Sequence, residues 1–88
     1  MMNVEAIDAL IDAKFAHEQA REILYFGDER PVERVYEPLN LDRFEKVRRT
    51  LGKQQARPVK IGNIVNRSFE YRGCVFLCTQ IGDDDGRA

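Results

Sequence analysis

The chain reads as an α+β protein: a long helix, a short helix, a second helix, then a small antiparallel meander of two or three strands. Three observations predict this. Two apolar rows recur at helical spacing between Val4 and Phe26, and a second helical stripe runs through Leu41, Phe44, Val47 and Leu51. From Val59 onward the apolar residues alternate as they do in strands. Helices gathered ahead of a meander belong on one face of its sheet.

The first helix carries the strongest signal. Ala6, Ala9, Ala13, Ala16, Ala20 and Ile23 follow one another at steps of 3, 4, 3, 4 and 3, a heptad seam made almost wholly of alanine. Val4, Ile7, Ile11 and Phe15 make a second row. At about 100° per residue the two rows lie roughly 165° apart, on opposite sides of one helix. Asn3 is the expected N-cap, with Glu5, Asp8 and Asp12 placing negative charge near the positive end, and Gly27 the expected stop. At 1.5 Å per residue the rod is roughly 34 Å long, whereas a compact domain of this size has a radius of gyration of only about 12 Å. The remaining chain is too short to cover both rows. One side is therefore expected against the sheet, and the alanine side against a second copy or another partner, since alanine lets helix backbones approach closely. The alternative is an intramolecular hairpin in which the second helix seals the alanine row.

Pro31 suits a first helical turn, and Val32, Val35, Tyr36 and Leu39 fall at i, i+3, i+4 and i+7, so a short helix ended by Pro38 is expected there. Asn40 then caps the second long helix, and Gly52 ends it before a polar, basic loop from Lys53 to Pro58. Val59 and Ile61 alternate around Lys60 before Gly62 interrupts; Ile64 and Val65 resume, with Asn66 and Arg67 as turn residues. Phe69 and Tyr71 mark a half-buried strand, Arg72-Gly73 a tight turn, and Cys74 to Thr79 a central strand. Residues 1–82 are expected to form one domain, and 83–88 an acidic, disordered tail.

With 88 residues, 43% hydrophobic and 33% charged, the chain can hold a small core, and association is a common remedy at that size. Its net charge of −1 conceals two opposed blocks. Residues 1–42 carry ten acidic and four basic side chains, residues 43–72 nine basic and two acidic. Such a chain presents a bipolar surface or folds so that one block partly neutralises the other. The start lacks the basic-then-apolar pattern of a signal peptide, and no apolar run is long enough to span a membrane. Two cysteines without secretory context predict a reducing, cytoplasmic setting.

Catalytic chemistry finds little to stand on. Cys74 and Cys78, four apart on one strand, are roughly 13 Å apart at about 3.3 Å per residue, too far for a disulfide, and a zinc site lacks further ligands. They read as core thiols. His17, the one histidine, has no recognised nucleophile or partner motif and reads as a filler at the edge of an interface. Asp83, Asp84 and Asp85 lack the alternation and terminal glutamate of a calcium loop. No phosphate loop, triad or paired-carboxylate motif occurs, so no catalytic residue, metal or cofactor is assigned.

What remains is binding. The leading expectation is a non-enzymatic, homodimeric accessory or inhibitor protein, paired through Ala6, Ala9, Ala13, Ala16, Ala20 and Ile23, whose target is another protein. The acidic residues Asp8, Asp12, Glu18 and Glu22 could meet a basic groove on a partner. The alternative is a nucleic-acid-binding regulator that uses Arg43, Lys46, Arg48, Arg49, Lys53, Arg57 and Lys60.

Overall fold

A computed structural model describes residues 2–27, 30–54 and 57–81. The elements run α1 (Val4–Phe26), β1 (Val35–Pro38), α2 (Leu41–Thr50), β2 (Val59–Ile61), β3 (Ile64–Tyr71) and β4 (Cys74–Ile81). Two helices on a four-stranded mixed sheet make the protein α+β. The expected tail and part of the Lys53–Pro58 loop fall outside the described residues.

Both helices begin and end where local chemistry dictates. The Asn3 side chain accepts from the Ala6 amide at 2.8 Å, and that of Asn40 from the Arg43 amide at 2.9 Å, each satisfying a donor that the first helical turn leaves open. At the far end of α1, Gly27 takes φ 78° and returns its amide to Ile23, the left-handed closure that a side chain would strain.

The sheet order is β1-β4-β3-β2, with β4 antiparallel to β3 and parallel to β1. Two sequence expectations are corrected here. Val32 to Leu39 does not form a helix: Val35–Pro38 is a strand beside β4, fixed by the Val35 amide on Gly73 oxygen at 3.0 Å and the Leu39 amide on Leu77 oxygen at 2.8 Å. Val35 packs into the core beside Cys74, and Pro38, which has no amide to give, stands on an edge strand where none is needed. A free edge on the most apolar strand outweighed the helical spacing. The turn within the meander is also misplaced: β3 runs straight through Asn66 and Arg67 and the chain reverses at Gly62-Asn63 instead, while the three antiparallel strands β2, β3 and β4 are joined by the parallel β1 into a four-stranded mixed sheet. The side chains of Asn66 and Arg67 are satisfied across the ladder, Asn66 accepting from Thr79 Oγ1 at 2.7 Å and Arg67 donating to Gln80.

One face of β4 carries Cys74, Phe76 and Cys78, all buried, and both helices cover that face. Helix α1 contributes Ile7 and Ile11, with Phe15 partly buried; α2 contributes Phe44 and Val47. Phe44, Phe69 and Phe76 form a chain of rings with centroids 5.2 and 5.3 Å apart. Val4 and Leu41, expected in these stripes, are exposed at their outer ends. Among the described residues no helix lies over the opposite sheet face, which shows Tyr36, Val59, Ile61, Ile64 and Ile81. At 49 × 30 × 18 Å the molecule is a slab, and α1 is its longest element.

Candidate interaction surface

The two rows of α1 meet different fates. Ile7 and Ile11 are buried on the sheet, while Ala6, Ala9, Ala13, Ala16 and Ala20 are all exposed and Ile23 is 45% exposed. The second helix does not seal the alanine row. It sits on the sheet face through Phe44 and Val47, so the hairpin alternative is overturned.

The end of α1 holds a feature that sequence reading missed. Leu24, Tyr25 and Phe26 are 75%, 64% and 59% exposed. With Ile23 they make four consecutive apolar residues, so this last turn is apolar all the way round and no orientation could bury it on its own sheet. That unbroken run was the available signal. Arg21 lies over the Tyr25 ring and Arg30 over the Phe26 ring, at 5.2 and 5.3 Å from their centroids.

The opposed charge blocks partly neutralise each other. Arg72 stands in the tight turn at φ 53° and pairs with Asp8 at 3.0 Å and Asp12 at 3.4 Å, tying α1 to the β3–β4 hairpin. Lys14 pairs with Glu37 at 2.8 Å, joining α1 to β1. Tyr71, beside this cluster, has its hydroxyl pushed above its ordinary range, first by hydrogen bonding toward Asp8 and then by burial. Asp8 and Asp12 are thus engaged within the chain. Glu18 stays near His17 and Arg21 at 3.8 and 4.0 Å, and Glu22 lies half-buried one turn on.

The basic block separates into structural and outward-facing members. Arg48 is largely enclosed: its guanidinium donates to Glu45 at 2.7 and 2.9 Å and to the Lys53 carbonyl at 2.9 Å, closing the end of α2. Lys53 extends over the Tyr71 ring at 5.9 Å. Arg43, Lys46, Arg49, Arg57 and Lys60 remain exposed. Three of them, Arg43, Lys46 and Arg49, recur every third residue along one side of α2 and line a groove.

That groove, of about 820 Å³, lies between the start of α1 and α2. Met2, Ala6 and Leu10 form one wall, and Ile7, Leu39, Val47 and Phe76 lie between the walls. It brings together residues far apart in the chain, so spacing along the sequence gave no hint of it. Burial raises the Cys74 thiol above its ordinary value, and neither Cys74 nor Cys78 is disulfide-bonded. Among the described residues no three His, Cys, Asp or Glu side chains converge as a metal site, and no helix is long and apolar enough to cross a membrane.

Neither a protein-family model, nor a curated protein, nor a solved structure matches this chain.

Proposed function

We propose that this is a non-enzymatic macromolecule-binding protein, accessory or inhibitory in role, that works as a homodimer joined along α1 and meets its target through protein–protein contacts. The single observation behind this reading is the exposed side of α1: an alanine row that its own chain leaves open, ending in a turn where Ile23, Leu24, Tyr25 and Phe26 all face solvent. Burying such side chains is worth about 1.5–3 kcal/mol each. Four from each of two copies are worth roughly 12–24 kcal/mol at full burial, more than the association cost of roughly 4–15 kcal/mol, so a pairing in the micromolar range is within reach. A two-fold contact lets each copy cover the other's apolar surface. Two buried, unpaired thiols fit a reducing, cytoplasmic compartment. The test is sedimentation velocity on the wild type and Ala13→Glu. The wild type is expected to dimerise with rising concentration and the variant to stay single; a wild type that remains single at high micromolar concentration defeats the proposal.

A second reading, a nucleic-acid-binding regulator, is favoured by the five cations left exposed, Arg43, Lys46, Arg49, Arg57 and Lys60. It requires binding to mixed DNA or RNA that weakens steeply with salt. Absence of binding at low salt removes it.

A further inference from the structure

We infer that the groove between α1 and α2 is the docking site for an acidic amphipathic helix of another protein, an inference that rests on reading this chain as a protein-binding molecule. Three features of the groove specify the occupant. Its interior is apolar, with Ile7, Val47 and Phe76 beneath and Leu10 on one wall, so the occupant must bring apolar side chains. Along the α2 wall, Arg43 to Thr50 rises about 10.5 Å, roughly two helical turns, enough to seat anchors at i, i+3 or i+4, and i+7.

The third feature is charge, and it lies on one side only. Arg43, Lys46 and Arg49 rail the α2 wall, while the α1 wall is apolar. Arg43 makes no side-chain ion pair among the described residues. Lys46 shares an exposed contact with Asp42 at 3.4 Å, which solvent screens, and Arg49 is steered by its Nε bond to the Glu45 carbonyl at 3.2 Å. The carboxylate of Glu37, also at the groove, is already paired with Lys14. The rail therefore faces the groove with positive charge in excess. A helix with leucines on one face and glutamates along one flank satisfies both walls at once. A phosphate backbone would satisfy the rail but leave the apolar wall facing polar groups, and an acyl chain would stay largely wet in so open a channel.

The experiment uses the full chain and two synthetic helical peptides of about 18 residues. Both carry the same leucine stripe; one has glutamates along its flank, the other lysines. Fluorescence anisotropy is expected to show the glutamate peptide binding about tenfold or more tightly than the lysine peptide. In R43E/R49E the order is expected to reverse, an outcome that a merely misfolded variant cannot give. Ala16→Glu lies outside the groove, so it is expected to abolish self-association and keep peptide binding; sedimentation and anisotropy thus separate failure of the dimer from failure of the groove. Equal affinity for the two peptides, or no reversal in R43E/R49E, overturns the inference. So does binding of oleate or a mixed DNA duplex where the glutamate peptide does not bind.

Discussion

The first and last halves of α1 differ in what holds them. From Val4 to Phe15 the helix inserts Ile7 and Ile11 into the core, and Arg72 grips it through Asp8 and Asp12. From Ala16 to Phe26 no residue is buried, the ties to the rest of the chain include Gln19 Nε2 on the Arg30 carbonyl at 2.8 Å and Arg30 over the Phe26 ring, both at the surface, and the most apolar turn is the most exposed. One half is accounted for by folding of a single copy. The other half is helical, well capped and greasy without any intramolecular use for its grease. Intrinsic propensity and a good cap hold a helix past its tertiary support, and an apolar patch left exposed there is what an association surface requires.

Substitutions in the two regions should therefore separate stability from association. The largest effect on stability is expected where ring packing and the sheet meet: Phe44→Ala should cost about 3–5 kcal/mol in chemical denaturation, which a chain this small barely survives. Next comes Gly73→Ala. The residue sits at φ 79°, and an added Cβ would lie 3.0 Å from Phe15 Cζ, so left-handed strain of roughly 1–2 kcal/mol combines with displacement of the ring that docks α1. The double change Leu24→Asp with Phe26→Asp should behave oppositely, altering monomer stability by about 0.5 kcal/mol or less while abolishing self-association. If it instead unfolds the monomer, the last turn has intramolecular support and the contrast between the halves collapses.

The smallest effect is alkaline. The folded values of the Cys74 thiol and the Tyr71 hydroxyl are both raised, Cys74 first by burial and Tyr71 first by hydrogen bonding toward Asp8. The unfolded chain therefore loses these protons at lower pH than the native one. Stability from both groups is complete below their unfolded values and drains away as pH climbs from about 8.5 through the folded values. Thermal melts between pH 7 and 10 should show this decline through Cys74, and Cys74→Ala should flatten it, whereas the Tyr71 share begins only above its unfolded value of about 10. A melting temperature level across that range contradicts the assignment.

Much of this molecule was legible because its signals are local. Asn3, Asn40 and Gly27 name their own helix ends, and Arg72-Gly73 names its turn. The two faces of α1 could also be read, down to which one the sheet would take. The segment around Val35 could not, since Val32, Val35, Tyr36 and Leu39 satisfy a helical pattern and only pairing with β4, some forty residues on, decides for a strand. Asn66 and Arg67 misled for a related reason: residues that favour turns were kept in a strand by Thr79 and Gln80 across the ladder. Of the surfaces, the alanine row was visible in sequence, whereas the groove depends on the approach of two helices whose contributing residues are remote in the chain.

Whether α1 pairs with a second copy of itself is decided by sedimentation equilibrium across nanomolar to high-micromolar protein. The weight-average mass should climb from the 10.2 kDa of one chain toward about twice that value, with Ala13→Glu held at the lower figure. A wild-type mass that stays at 10.2 kDa throughout contradicts the pairing.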